Sequence, residues 1–566
     1  MANLSEDKIA SIVERVVARL ENGDRRVPLR EVAAEVSPSY GCGPARSSES
    51  AHSGEPARSS NPARSSEPAR FSESGRFSQP GRTGDAARSS DETGARRSSG
   101  PAAAVAPQPA NAARSRTLSG LASGRPRGNG RALRGVFADV DSAVESAREA
   151  FERLGAAGLA VRRRIIAEMR AEAHQHVDTI SQMAVEETGL GRVDQKVIKN
   201  RLVIDKTPGC EVVEPTAFSG DDGLTIEEYA PWGVIGAITP TTNPTETIIC
   251  NAIGMLAAGN SVVFNAHPKA KQVSAYTVDF LNAASVRAGG PENLVCCTEE
   301  PTIELAQRLM RHAGVRLLVV TGGPGVVAEA MGAGKKVIAA GPGNPPAVVD
   351  ATADLSVAGE GIVKGVSLDN NIVCTAEKEI IAVSEIADAL KVEMKRHGAY
   401  ELTGDETRRL ENLVLDDKGP NRAWVGQDAR SILREIGVNA PADTLMAFAE
   451  VPEEHPFIQH ELLMPVTGLA RARDAREAIR MAVRAEQGNG HTACMYSKNI
   501  EHLHLMARAI NTSIFTKNAP TYAGLGLGGE GYCSFTIASP TGEGLTTAEH
   551  FSRRRRCTLK DYFRIV

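Results

Sequence analysis

Aromatic residues are scarce in this chain of 566 residues: they make up 4% of it, against 53 glycines, which favours a turn-rich α/β protein over an all-β sandwich. A surplus of one charge is also missing. Lysine and arginine number 65 and aspartate and glutamate 69, for a net charge of −4 and a pI near 6.4, so the balance implies neither a nucleic-acid nor an anionic-membrane partner. No apolar run reaches the ~18 to 20 residues of a membrane span, and the N-terminus lacks a basic-then-apolar signal pattern. Cysteine occurs nine times, an odd number, with no C-x-x-C pair. That excludes an evident disulfide framework or structural zinc site, indicates no metal, and fits a reducing cytoplasm. What is present is length and 42% hydrophobic residues, enough for a large core in two or three domains.

Composition divides the chain into three regions. In residues 1–22, Ile9, Ile12, Val13, Val16, Val17 and Leu20 recur at helical spacing, with Asn3 and Glu6 placed as a capping box. One apolar stripe on so short a helix needs a surface to lie on. Residues 23–132 read as a disordered linker. Its centre, Ala45 to Glu92, repeats "ARSSEP"-like hexads that are rich in Ser, Arg and Pro and nearly free of Ile, Leu and Val. Such a stretch buries too little apolar surface to offset the entropy of ordering it. An Arg/Ser nucleic-acid segment is the functional alternative, but acidic residues dilute its charge and no aromatic platform accompanies it. From about residue 133 strands alternate with helices: "GVIGAIT", "SVVFNA", "VRLLVVTG", "KKVIAAG" and later "EIIAVS", with helical runs between them. That spacing predicts parallel crossovers and doubly wound sheets. "GCEVVEPTAFSGDDGLTIEEY" predicts a hairpin at about 208–230.

Two glycine loops invite a phosphate. "YAGLGLGGEGYCSF" lacks a leading strand and a following helix, so a tight backbone turn is its plainer reading. "VTGGPGVVAEAM" has both, which puts backbone N–H groups at a helix start. Cys374 lies in "VSLDNNIVCTAEKEI". By type alone a lone cysteine in an apolar setting is packing, and Asn243 in "TPTTNP" is a turn residue.

Taken together and in order, these pieces resemble the aldehyde dehydrogenase superfamily over roughly residues 134–566. "YAPWGVIGAITPTTNPTETIICNAIGMLAAGNSVVFNAHP" resembles the segment that carries its active-site asparagine, "VTGGPG" its cofactor-phosphate turn, "DNNIVC" its nucleophile segment, and "HELLMPVTGL" the segment whose glutamate holds the nicotinamide ribose. "EQGNGHTACMYS" and the C-terminal "TKNAPTYAGLGLGGEGYCSF" onward are similar to the CoA-acylating propionaldehyde dehydrogenases of bacterial microcompartments, a group that also carries a short amphipathic N-terminal helix for shell targeting.

The resemblance implies an aldehyde dehydrogenase-like α/β fold: a Rossmann-type cofactor domain at 133–342 with its hairpin arm, a catalytic domain at 343–540, and a C-terminal oligomerisation segment at 541–566. It implies Cys374 as nucleophile and Asn243 as oxyanion donor. Thr321, Gly322, Gly323, Glu461, Thr239 and Pro240 become NAD contacts, and His491 becomes either a substrate or CoA contact or a satisfied core histidine. Coenzyme A is the implied co-substrate, for one departure separates this chain from hydrolytic members. Where they carry a water-activating glutamate, this chain has Ala340. General-base help is worth ~10² to 10⁴-fold, which water needs and a thiol needs less. The expected activity is oxidation of a short-chain aldehyde, propionaldehyde by resemblance, to its acyl-CoA within a bacterial microcompartment of the cytoplasm. The chain would meet shell proteins through residues 1–22 and form a homodimer or homotetramer. The alternatives are a hydrolytic enzyme giving the free acid and an inactive cargo or scaffold protein.

Overall fold

The computed structural model describes residues 133 to 565 apart from Lys418; the expected targeting helix at 1–22 and the linker at 23–132 lie outside the described residues. Helices α1 (Val140–Ala156), α2 (Leu159–Thr188) and α3 (Val193–Lys206) follow the short strand β1 (Val136–Phe137). Asp139 caps α1 by accepting the Ser142 N–H, and α2 stops at Gly189, whose φ of 71° suits a residue without Cβ. Strands β2 (Thr216–Gly220) and β3 (Gly223–Pro231) form the expected hairpin.

The next strands are β4 (Val234–Ile238), β5 (Ser261–Asn265), β6 (Val295–Thr298), β7 (Val315–Thr321) and β8 (Lys336–Ala340). Between them run α4 (Pro244–Ala257), α5 (Lys271–Arg287), α6 (Ile303–Arg311) and α7 (Pro324–Met331). All-apolar strands such as "VIGAI" are covered on both faces, as crossover helices require, and β4 is buried along its whole length. With β1 these strands make a six-stranded parallel sheet in the order β1-β6-β5-β4-β7-β8. The chain winds outward from β4 through β5 and β6, then returns to the other side for β7 and β8. The crevice beyond the C-terminal ends of β4 and β7 is therefore the topological switch point, where such sheets bind nucleotides.

A second parallel sheet begins with β9 (Pro346–Val349), helix α8 (Leu355–Ser367), β10 (Glu379–Val383) and β11 (Ala399–Glu401). After a small pair, β12 (Leu415–Asp416) and β13 (Gly419–Pro420), come β14 (Met446–Glu450), β15 (Val466–Ala472), β16 (Thr492–Tyr496) and β17 (Ile514–Lys517). Its seven strands run β11-β14-β15-β10-β9-β16-β17. Cys533, Phe535, Ile537, Ala538 and Phe551, together with the pair β18 (Ile537–Ala538) and β19 (Gly544–Leu545), then return to the core of the first half. The crossing thus comes before residue 540, where the sequence places it, because the apolar side chains that follow the glycine loop find their partners on α4. The last strand, β20 (Ser552–Lys560), pairs antiparallel with β3 and completes a three-stranded arm, so "RRRR" lies on an exposed strand. Among the described residues no helix is long and apolar enough to cross a membrane.

Candidate active site

Between β9 and β10 the chain makes a tightly held left-handed turn. Helix α8 ends at Ser367, and Asp369, Asn370 and Asn371 then adopt φ of 48°, 52° and 67°. Three consecutive left-handed residues are costly for most side chains, but asparagine and aspartate tolerate the region best. Each is also held from outside. Asn370 Nδ2 donates to the Gly426 carbonyl at 2.9 Å, and Asn371 Nδ2 donates to the carbonyls of Val366 and Glu377, both at 2.9 Å. The buried Lys378 ammonium donates to Asn371 Oδ1 at 2.7 Å and to the carbonyls of Asn371 and Val373 at 3.0 Å. This turn delivers Cys374. Of the eight cysteines among the described residues all are free, and Cys374 is the one neither sealed in the core nor out on the arm. Desolvation, then the field of Glu461, pushes its thiol up to about 12, while Lys378 and Lys199 pull the other way.

Asn243 reaches the same turn from the first half. It is the residue before Pro244 at the start of α4, and its Nδ2 donates to the Ile372 carbonyl at 3.3 Å, two residues short of the cysteine. Its Oδ1 accepts from Lys199 Nζ at 2.5 Å. Lys199 also meets Asp369 Oδ2 at 2.5 Å and Glu246 Oε1 at 3.0 Å, and Lys196 meets Asp369 Oδ2 at 3.1 Å. Desolvation opposes the charge on Lys199, but Asp369 and Glu246 outweigh it and hold its pKa above the ordinary value. A cleft of about 460 Å³ opens alongside, walled by Ile198, Leu368, Asn370, Tyr522 and Leu527.

The switch-point crevice holds the residues expected to face a dinucleotide. Thr239 follows β4, and its hydroxyl is buried without a partner. Pro240 lies beside it in the loop to Asn243, partly exposed. Thr321 ends β7 with its hydroxyl 3.1 Å from that of Thr536, and the Gly322 N–H donates to the Ala340 carbonyl at 3.2 Å. Gly323 caps α7 with open space where a Cβ would stand. An orphaned hydroxyl, an open helix start and a glycine edge at a switch point fit a pyrophosphate-bearing cofactor. Glu461 approaches from the second half. Desolvation raises its carboxyl to about 7, against the pull of Lys378 and a hydrogen bond from Gly343 N–H. Its charge bears on Cys374, whose thiol it helps to push up.

Ala340 closes β8, 4% exposed, and brings no acid or base to this edge. His491 lies behind Gly343, where an added Cβ would come 2.8 Å from its ring. It is fully buried, its Nδ1 is 2.8 Å from Thr492 Oγ1, and its Nε2 has no partner among the described residues. Burial lowers its pKa to about 4, so it rests neutral. The structure thus brings Asn243 to the turn that carries Cys374, within the field of Glu461, but it interposes Gly343 before His491. Sequence reading missed Lys196, Lys199, Glu246, Asp369 and Lys378. Two lysines three apart in "VDQKVIKNRL" look like a solvated helix face, and nothing local distinguishes them.

A model of the aldehyde dehydrogenase family matches residues 130–409. The acetylating acetaldehyde dehydrogenase EutE of Salmonella typhimurium is 49% identical over 439 residues, which span 76% of this chain and 94% of that one. A CoA-propanoylating propanal dehydrogenase of the same organism is 43% identical over 433 residues, spanning 76% and 93%. Among solved structures, Rhodopseudomonas palustris propionaldehyde dehydrogenase with bound CoA and an acylated cysteine superposes with a TM-score of 0.74 at 50% identity, covering 75% of this chain and 98% of that one. The propionaldehyde dehydrogenase of the Clostridium phytofermentans fucose utilisation microcompartment gives 0.76 at 48% identity, covering 76% and 100%.

Proposed function

The chain belongs to the aldehyde dehydrogenase family, and from that premise we propose that it is a CoA-acylating dehydrogenase of short-chain aldehydes, propionaldehyde foremost. The observation that carries the reading is the hydrogen bond from Asn243 Nδ2 to the Ile372 carbonyl, two residues before Cys374 on a pinned turn, with the aliphatic Ala340 at the edge where a hydrolytic enzyme needs a base. Cys374 gives up its thiol proton to solvent and its thiolate adds to the aldehyde carbon, and the carbonyl oxygen that becomes an oxyanion is held by Asn243 Nδ2. A bound nicotinamide cofactor, NAD or NADP, supplies the hydride acceptor. Thr239, Pro240, Thr321, Gly322 and Gly323 line its phosphate and ribose side, and Glu461 orients the nicotinamide ribose. Loss of hydride leaves an acyl thioester on Cys374. The thiol of CoA attacks that carbonyl, the acyl group moves to CoA, and the cysteine is regenerated. Water is a poor competitor because no carboxylate at position 340 deprotonates it. His491, neutral and fully buried behind Gly343, is either a substrate or CoA contact or a core histidine.

Relatives of this chain are microcompartment enzymes. The apolar stripe of residues 1–22 is the segment that binds shell proteins, tethered by the linker at 23–132. Deleting 1–22 is expected to leave solution turnover intact and to abolish co-purification with shells; loss of both would defeat this division. The division of the body into a cofactor half (133–342), a catalytic half and an arm rests on its two parallel sheets and on β20. The arm bears exposed Phe218, Ile226, Leu559 and Phe563, the dress of a subunit contact, and this supports a dimer or tetramer that sedimentation would count.

The activity is tested by following NADH from propionaldehyde and NAD⁺ with and without CoA, in the wild type and in Cys374→Ala. Sustained turnover that needs both CoA and the cysteine is the expected result. Equal turnover without CoA would mean that water completes the reaction.

A further inference from the structure

Four charged side chains are sealed between α3, α4 and the nucleophile turn: Lys196, Lys199, Glu246 and Asp369, none more than 1% exposed. The reaction outlined above uses none of them. Ammonium groups removed from water to this degree need full partnering, because an unpaired one costs several kcal/mol. Lys199 has it. It donates to Asn243 Oδ1 at 2.5 Å and makes ion pairs with Asp369 Oδ2 at 2.5 Å and Glu246 Oε1 at 3.0 Å. Lys196 divides its bonds between Asp369 Oδ2 and the Thr242 carbonyl, the latter at 3.0 Å.

The partnering has a consequence for Asn243. An asparagine side chain has two ends of nearly the same shape, one accepting and one donating. Lysine can only donate. Lys199 therefore admits the carbonyl end alone and turns the NH₂ end toward Ile372 and the cysteine. Flipped, the same side chain would offer an oxygen to a developing oxyanion and repel it. Through Asp369 the same ammonium also grips the left-handed turn, so the amide and the nucleophile are referred to one charge. Asp369 is held in turn by the Arg192 N–H at 2.7 Å.

We propose that Lys199 is the positioning residue of the reaction: it selects the donor end of Asn243 for the oxyanion and locks that amide to the Cys374 turn through Asp369. The proposal rests on Asn243 being the oxyanion donor, and its test separates the two ideas. Lys199→Met alone leaves the buried acids one positive charge short, so it is made in a Glu246→Gln background, which restores the balance. Four enzymes are compared under saturating NAD⁺ and CoA: the Glu246→Gln background, that background with Lys199→Met, with Asn243→Ala, and with both. Lys199→Met is expected to lower kcat at least ~10-fold with KM for the aldehyde within ~3-fold, since a misaimed donor acts only in the transition state. Added to Asn243→Ala it should cost less than ~2-fold, there being no amide left to aim. A merely structural lysine would cost the same in both backgrounds, and multiplying losses would overturn the proposal, as would an unchanged kcat in the first comparison. An undiminished kcat in the Asn243→Ala enzyme would instead remove the oxyanion reading itself.

Discussion

Asn243→Asp changes one NH₂ group into an oxygen at nearly constant shape, and the site makes its cost calculable. Lys199 Nζ, now 2.5 Å from Oδ1, would hold one carboxylate oxygen and keep the side chain in place. The other oxygen would then stand where Nδ2 stands, 3.3 Å from the Ile372 carbonyl, facing the oxyanion. Losing an oxyanion donor costs ~10² to 10³ in kcat, about 3 to 4 kcal/mol. Two like charges about 4 Å apart at an effective dielectric constant of ~20 add about 4 kcal/mol, of which the Lys199 charge removes about half. The sum, about 5 to 6 kcal/mol, corresponds to ~10⁴-fold in kcat. Asn243→Ala, which loses the donor without adding charge, should stop at ~10² to 10³. The expected order of kcat is therefore asparagine, alanine, aspartate, with KM for the aldehyde little changed. The assay is NADH formation at mildly alkaline pH with all three substrates saturating. An aspartate enzyme as fast as the alanine enzyme, or losses confined to KM, would refute the geometry from which these magnitudes come.

Three further outcomes test other parts of the site. Because burial raises the Cys374 thiol to about 12, its alkylation by iodoacetamide without cofactor should quicken about tenfold per pH unit past pH ~9; a plateau near ~8.5 would show an ordinary thiol. Ala340→Glu should raise CoA-independent turnover at least ~10²-fold, the low end of general-base assistance, measured as acid formed without CoA. Gly191 has φ +76°, and an added Cβ would come 2.1 Å from Asp369 Oδ1, so Gly191→Ala should displace the turn and lower stability by more than about 2 kcal/mol in urea titration.

Much of the molecule was legible in the residues alone, and for a physical reason: parallel strands covered on both faces must read as apolar runs, and crossover helices must separate them. "GVIGAIT", "SVVFNA", "VRLLVVTG" and "KKVIAAG" therefore declare β4, β5, β7 and β8, and the hairpin declares itself by its turn. Ordered motifs further single out Cys374 and Asn243 as candidates, and the sequence shows Ala340 where a base would stand. What tertiary structure alone decided is the environment that makes those residues a site. Asp-Asn-Asn reads as any polar turn until three left-handed dihedrals and the grip of Lys378 make it a pedestal. Lys196 and Lys199 read as solvent-facing until α3 packs against α4 and the turn that carries Asp369. The return of Phe535 and Ile537 to the first core was likewise invisible, since it is set by contacts nearly three hundred residues away. Periodicity reports which face of an element is buried; it carries no information about which distant charge is buried against it, and in this protein that distant charge aims the amide beside the nucleophile.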